Sequence, residues 1–286
     1  MIDNYTKSEE DAREKNYLSN SLEDYLQESG PTGLSFLLSE IDPEDFEESM
    51  KGVVRRHPDL PKLRVIYAKH LMETGKPAAA AEQLKEALNR DESLVEARLF
   101  LIQSLAMMAE YERAVKHCES IVSKDPDDPY GNLYMGMLGE RLMHPEDSKY
   151  LHRAVELAVS EEHSEELFEN FASLAGAIGF SSHEQWIYRK WAESQPGNTA
   201  PLNQLALMME SYGNLDECVD LYRKSLKVEP DNPWIYRSLA EAYLSKGESE
   251  KALQVCRECL EVISKEASEE NWVALREISS LMKEIG

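Results

Sequence analysis

Cys256 and Cys259 have the spacing C-x-x-C, the pattern in this sequence that is most typical of metal or redox chemistry. Two such thiolates can supply half of a zinc site, or exchange electrons by forming and breaking a disulfide. A structural zinc ion needs four ligands, and the sequence contains neither a second C-x-x-C nor two histidines at ligand spacing. Redox pairs are typical of exposed helix starts beside a βαβ pattern, which the sequence also lacks. We therefore predict that both cysteines pack as small hydrophobic core residues.

Other patterns that carry chemistry are also missing from the sequence. The acidic run DPEDFEESM at 42–50 lacks the turn glycine and the ligand spacing of an EF-hand loop, and it is typical of a charged helix start. The seven histidines are scattered, and there is no P-loop, G-x-S-x-G or G-x-G-x-x-G motif. We expect no catalytic residues, no metal and no cofactor. An enzyme with an active site in an acidic groove is the least favoured alternative.

The composition limits the class of partner. Acidic residues outnumber basic ones by 54 to 31, which gives a formal net charge of −23. Such a charge repels the phosphate backbone of nucleic acids and anionic membrane surfaces. No apolar run approaches the roughly 18 residues of a membrane span, and MIDNYTKSEEDAREK lacks the basic start and apolar run of a secretory signal. We expect an acidic cytoplasmic protein that binds no nucleic acid and inserts into no membrane.

The elements that would position these residues recur with a period of 34 residues. One column contains the small residues Ala80, Ala114, Cys218 and Ala252. Glu184 also belongs to this column, after a two-residue insertion between Ala114 and Glu184. A bulky column contains Leu84, Cys118, Tyr188, Tyr222 and Cys256, and a glycine column contains Gly75, Gly179, Gly213 and Gly247. Apolar residues three or four apart follow each glycine and precede it, which indicates two amphipathic helices per period. Glycine permits the left-handed backbone that ends the first of them.

The stretch WIYRSLAEAYLSKGESEKALQVCRECLEV resembles the tetratricopeptide repeat, whose period is the same. The resemblance implies an all-α fold, a right-handed α-solenoid of stacked antiparallel helix pairs closed by a C-terminal capping helix. It divides the chain into an acidic N-terminal arm, partly helical or disordered, a repeat array over 27–266 and the capping helix. The arm is 1–26 and the cap is 267–286. The repeats are 27–60, which is degenerate, 61–94, 95–128, 129–164, which is irregular, 165–198, 199–232 and 233–266.

The resemblance also implies a function, namely a non-catalytic interaction module or assembly scaffold that binds a peptide, helix or subunit in its concave groove. The alternative is an adaptor or regulatory subunit that modulates an enzyme partner. The first helix of each pair lines this groove in the family. The front zone of the groove would contain Leu99, Gln103, Met107, Tyr130, Leu133, Tyr134 and Met137. The rear zone would contain Glu166, Glu169, Asn203, Glu210, Trp234, Arg237 and Glu241. These zones favour a basic or amphipathic protein partner, and the terminal helices offer a route to a homo-oligomer.

Overall fold

The protein is built from α-helices. Its structure, a computed structural model, describes residues 43–161, 164–263 and 269–285. Those ranges contain fourteen α-helices, a 3₁₀ turn at Pro145–Asp147 and no strand, so the predicted all-α helical repeat class is confirmed. The helices are α1 Pro43–Arg56, α2 Pro61–Glu73, α3 Pro77–Arg90, α4 Val95–Met107, α5 Tyr111–Val122, α6 Pro129–Arg141, α7 Ser148–Ser160, α8 Ser164–Ala177, α9 Ser181–Ser194, α10 Ala200–Ser211, α11 Leu215–Val228, α12 Pro233–Ser245, α13 Ser249–Ile263 and α14 Glu269–Ile285. The predicted arm at 1–26 and the first helix of the degenerate repeat lie outside the described residues.

The helices pack in chain order within two compact units, which are divided between Ala154 and Val155 in α7. In the first unit α2 packs on α3, α3 on α4, α4 on α5 and α5 on α6. In the second unit the same pattern runs from α8 to α13, and α14 packs on both α12 and α13. Each helix pair therefore buries its apolar face against the next pair, as expected of repeats that cannot form a core alone. None of the described helices is both long and apolar enough to cross a membrane.

The sequence columns form the core of each unit. In the first unit the small and bulky columns place Ala80, Leu84, Ala114 and Cys118 in the interior. In the second unit the same columns bury Cys218, Tyr222, Ala252 and Cys256, and Cys259 one helical turn further on is also buried. Small side chains let neighbouring helices approach, and bulky ones fill the space one turn away. The prediction that the four cysteines are core residues is confirmed, since all are buried free thiols.

The turn after each first helix has the same backbone in both units. Gly75, Gly179, Gly213 and Gly247 have φ between 73° and 77°, the left-handed region. The following residue donates its N–H to a carbonyl five positions earlier, as Lys76 does to Leu71 at 2.7 Å and Asn214 does to Met209 at 2.8 Å. This is the Schellman ending of a helix. Two periods keep this backbone without glycine, because Ala109 and Met143 have φ of 58° and 62°.

We expect the substitution Met143→Gly to stabilise the first unit by about 0.5–1 kcal/mol. A residue with a Cβ atom costs roughly 1–2 kcal/mol in the left-handed region, and glycine avoids this cost. The larger unfolded-state entropy of glycine offsets about 0.5–1 kcal/mol of that stabilisation. The Met143 side chain is 88% exposed, so its removal loses little packing. Urea denaturation followed by circular dichroism measures the change. Gly213→Ala is the reverse control and should destabilise, because nothing lies within 4 Å of the added methyl group and the backbone cost acts alone.

Candidate protein-binding surfaces

The front zone predicted from the sequence is only partly accessible. Leu99, Met107 and Tyr130 are half-buried, whereas Gln103, Leu133, Tyr134 and Met137 are buried. The last four side chains pack inside the protein and are not on an exposed face that a partner can reach. This corrects the sequence-based expectation that these four side chains line a binding groove.

The close packing of α6 explains the correction. All residues from 131 to 139 on this helix are buried, whichever way they point. Gly136 lies so near α7 that a Cβ atom there would be 2.5 Å from Leu151 Cγ and 2.7 Å from the Leu151 backbone nitrogen. Asp128 caps the start of the helix by accepting a hydrogen bond from the Gly131 N–H at 2.5 Å. A helix held so tightly offers little side-chain surface.

The rear zone of the second unit, by contrast, is accessible. On α8, Glu166 and Glu169 are exposed, and on α10 Asn203 and Glu210 are half-buried. On α12, Trp234 is 45% exposed, and Arg237 and Glu241 are half-buried. Within each helix these residues are three, four or seven positions apart, so they share one helical face. We call these side chains the acidic face, comprising Glu166, Glu169, Asn203, Glu210, Trp234, Arg237 and Glu241.

Charge on the three helices of the acidic face is one-sided. Helices α8, α10 and α12 together carry five glutamates and a single basic residue, Arg237. The Arg237 guanidinium lies 3.1 Å from a carboxylate oxygen of Glu241 and 2.6 Å from one of Glu277 on α14. The one cation of these helices is therefore already neutralised, and the remaining glutamates leave a negative potential.

Two carboxylates of the acidic face lie near one buried tyrosine. Burial raises the pKa of Tyr222 to about 12, and the charges on Glu210 and Glu241 add to this shift. Ser245 on α12 donates a hydrogen bond to Glu210 on α10 at 3.3 Å. The carboxylates thus come from neighbouring helices but act on the same small region. An incoming ammonium or guanidinium group could be shared between them.

Glu184 adds to the acidic surface and could not be assigned to it from the sequence. It occupies the small-residue column on α9, and its carboxylate lies where a side chain on Gly176 would be, 3.0–3.2 Å from a Cβ built there. The missing side chain at Gly176 makes room for it. Burial raises the pKa of Glu184. The pKa of Tyr188 is raised first by burial and then by the charges of Glu184 and Glu169. The available signal was the Glu184–Gly176 pair, a large residue in a small column opposite a glycine.

Leu207 is a second residue that the sequence reasoning missed. It lies on α10 between Asn203 and Glu210, four residues after one and three before the other, and is 50% exposed. The helical spacing places it on the acidic face, although leucine at such a position is more often buried. Together with Trp234 it gives this negative surface two exposed apolar side chains.

The cysteines offer no reactive thiolate. Burial raises the pKa of all four thiols, to about 11 for Cys218 and about 12 for Cys259. A raised pKa keeps the neutral thiol, which neither binds metals nor attacks disulfides efficiently. In the part of the chain that the structure describes, no group of three or more histidine, cysteine, aspartate or glutamate residues is placed to hold a metal ion.

Comparison with known proteins identifies the repeats. Two tetratricopeptide repeat profiles match, one over residues 71–134 and one over residues 221–254. No curated protein has a significant match to the sequence.

The solved structures that are similar to this chain include tetratricopeptide repeat proteins. A tetratricopeptide repeat protein from Parabacteroides merdae is 14% identical, with 96% of this chain and 99% of that one aligned and a TM-score of 0.45. YrrB, described as a TPR protein with an unusual peptide-binding site, is 16% identical over 82% of this chain and 99% of its own, with a TM-score of 0.36. TTC0263 from Thermus thermophilus is 18% identical over 78% and 98%, with a TM-score of 0.29. With profile matches over residues 71–134 and 221–254 and with helix pairs that recur in both units, the chain contains tetratricopeptide repeats.

Proposed function

We propose that this protein is a non-catalytic interaction module whose acidic face binds a basic, amphipathic segment of a protein partner. The fold is that of protein–protein interaction scaffolds in general. The observation that supports the finer proposal is the presence of exposed Leu207 and Trp234 on helices that carry five glutamates and one neutralised arginine. A solvated helix face needs no exposed tryptophan or leucine, whereas a docking surface uses such residues as anchors.

The apolar side chains would supply most of the affinity. Large apolar residues that become fully buried in an interface are typical of binding hot spots, and tryptophan is prominent among them. Leu207 and Trp234 are both about half exposed, so a partner can still cover a substantial part of each. A leucine or methionine on the partner segment would complement them.

The glutamates would select the sign of the partner and speed its association. Glu169 with Glu184, and Glu210 with Glu241, form two pairs of carboxylates that act on Tyr188 and Tyr222 respectively. Lysine or arginine side chains on both sides of an apolar anchor would match these pairs. Complementary charge of this kind raises association rates and rejects acidic segments, and salt weakens the effect.

The test measures the binding of a fluorescein-labelled peptide, composed of lysine and leucine at helical spacing, to the full chain by fluorescence anisotropy. We expect salt-sensitive binding, and none for a peptide with glutamate in place of lysine. Leu207→Ser and Trp234→Ser should each weaken binding about tenfold or more, as expected of interface anchors. Val262→Ser is the matched apolar control, because Val262 is 40% exposed on α13, outside the acidic face.

A second pair of variants separates the acidic face from the overall charge of the protein. Glu169→Lys and Glu250→Lys make the same change in net charge, but exposed Glu250 lies on α13. We expect a larger loss of affinity for Glu169→Lys. Equal losses for the two variants, or no loss for Leu207→Ser and Trp234→Ser, would show that the peptide binds to the acidic protein nonspecifically and would refute the proposal.

The role of such binding in a cell also belongs to this proposal. A scaffold that holds a subunit of a larger assembly is favoured over an adaptor that modulates an enzyme, because the acidic face supplies anchors and charge but no convergent acid, base and nucleophile. A cytoplasmic location and a homo-oligomer formed through the terminal helices remain predictions from the sequence.

A further inference from the structure

A cavity in the first unit has the opposite charge to the acidic face. It has a volume of about 560 Å³ and lies where α3, α4 and α5 meet. Four of its lining residues are basic or can become so, namely Lys85, Arg90, Arg98 and His117. Leu88, Asn89, Glu92 and Leu101 complete the lining. In a chain with a net charge of −23, this concentration of cations around one cavity is unexpected from composition alone.

Arg98 is the most buried of these cations. It is 9% exposed, and one of its terminal nitrogens donates to the Glu92 backbone carbonyl at 3.0 Å. The same nitrogen is 3.8 Å from a carboxylate oxygen of Glu92, whose side chain is 79% exposed. A guanidinium has five N–H donors, and these two contacts use one nitrogen. The other donors of a largely buried cation therefore remain available at the cavity.

Lys85 and Arg90 form exposed pairs that a ligand could replace. The Lys85 ammonium is 2.8 Å from Glu82, and the Arg90 Nε atom is 3.4 Å from Glu86. Both pairs are made within α3 and are well exposed to solvent. Such surface pairs contribute little stability and exchange readily with competing anions. Glu82 and Glu86 are not among the residues that line the cavity.

His117 reports the electrostatic potential in the cavity. Its pKa is lowered, first by burial and then by the positive charges of Arg98, Arg113 and Lys85. Arg113 itself pairs with Glu110 at the start of α5. The neutral imidazole therefore lies among cations that disfavour its own protonation. An anion bound at the same place would reverse that effect and raise the pKa of His117.

We propose that the cavity between α3, α4 and α5 binds the carboxylate group of an acidic organic ligand. Arg98 would bind the carboxylate with its free N–H donors, and Lys85 and Arg90 would add charge at the rim. Leu88 and Leu101 would contact the aliphatic part that carries the carboxylate. The apolar walls and the volume favour such a ligand over inorganic phosphate, which has no apolar part. Free dicarboxylic acids and glutamate side chains of a peptide share this chemistry.

The test follows the His117 ring protons by NMR in the full chain during titration with three probes. These are glutarate, a blocked peptide that contains two glutamates, and inorganic phosphate. We expect the His117 signals to shift with glutarate or with the peptide, and the tighter of the two identifies a free acid or a protein segment as the source. The same peptide with glutamines should cause no shift. Equal shifts with the glutamine peptide, or shifts with phosphate alone, would overturn the proposal.

Variants then locate the binding. Lys85→Gln alters a half-buried side chain at the cavity and should weaken carboxylate binding about tenfold, as loss of one charge-assisted contact does. Arg98→Met should weaken it more, and circular dichroism shows whether that variant is folded. Lys124→Gln is the matched control, because exposed Lys124 lies in the same unit but not at the cavity. Unchanged affinity in Lys85→Gln and in folded Arg98→Met would contradict the proposal. The probes are acidic and the variants are confined to the first unit, so the result is independent of the acidic face.

Discussion

Replacing Trp191 with alanine is expected to lower the free energy of unfolding by about 3–5 kcal/mol, the usual range for deleting a buried aromatic side chain. Trp191 on α9 is 1% exposed and is among the largest fully buried side chains. Its ring stacks with Phe168 of α8 at a centroid distance of 6.0 Å and with Tyr188 at 6.4 Å. The substitution would leave a large cavity between two helices that must stay in contact.

The indole N–H contributes a second part of the effect. It donates to the Gln195 side-chain oxygen at 3.0 Å, and the Gln195 amide donates to Ser164 Oγ at 2.6 Å. This chain of hydrogen bonds joins the end of α9 to the start of α8. Alanine would remove one of the two hydrogen bonds that the half-buried Gln195 oxygen accepts, and the Asn198 amide, at 3.1 Å, would remain its donor. Loss of one such hydrogen bond costs about 0.5–1.5 kcal/mol.

Guanidinium denaturation followed by circular dichroism measures the change, and Trp234→Ala is the matched control. The two substitutions remove the same side chain from the same unit, but Trp234 is 45% exposed and at the start of α12. We expect a change within about 1 kcal/mol for Trp234→Ala, as for most surface substitutions. A Trp191→Ala protein as stable as the Trp234→Ala protein would mean that the α8–α9 contact is not part of the cooperative core.

The fold could be predicted because its determinants recur along the chain. A single alanine such as Ala80 carries little information, but Ala80, Ala114 and Ala252 at one period specify where helices approach closely. The structure was harder to predict at positions where the residue departs from the type that its column usually contains. The repeat spacing places Ala109 and Met143 in the glycine column, but their residue types do not indicate its left-handed backbone. The surrounding hydrogen bonds impose that conformation on them in spite of its cost.

The accessible surface was harder to predict, as a pair of equivalent positions shows. Met137 on α6 and Leu207 on α10 lie two periods and one two-residue insertion apart. Met137 is completely buried, whereas Leu207 is 50% exposed. Helical periodicity indicates which way a side chain points but not how near the next element comes. On α6, the glycines at 136 and 139 bring α7 and the preceding 3₁₀ turn close, and this approach is a property of the packed structure.

The cationic cavity could not be predicted from the sequence for a related reason. Lys85, Arg98 and His117 belong to three different helices, and no motif connects them. Net charge is a sum over the whole chain, and a sum of −23 does not exclude a local excess of cations. An acidic zone on the first helices of the second unit could be proposed from the sequence, because its residues lie at helical spacing within single helices.

The close contact of α6 with α7 leads to a prediction for Gly136→Ala. Helix propensity and tight packing predict opposite signs for the change in the free energy of unfolding. Alanine is a better helix former than glycine by about 0.5–1 kcal/mol, so Gly→Ala inside a helix is normally stabilising. At Gly136 the added Cβ would lie 2.5 Å from Leu151 Cγ and 2.7 Å from the Leu151 backbone nitrogen. Backbone atoms cannot move aside as a flexible side chain does. We therefore expect Gly136→Ala to destabilise the first unit by about 1–3 kcal/mol, the range for overpacked cores.

Gly52→Ala on α1 is the control for this prediction. There the nearest atom to the added Cβ is the Arg56 guanidinium at 3.3 Å, the mobile end of a long side chain, so we expect stabilisation by about 0.5–1 kcal/mol. Urea denaturation of both variants gives the two changes in free energy of unfolding. Opposite signs would show that α6 is held against α7 by direct backbone contact, which is also what removes Leu133 and Met137 from the accessible surface. A stabilising Gly136→Ala would mean that α7 can move away, and those two side chains would then again be candidates for contact with a partner.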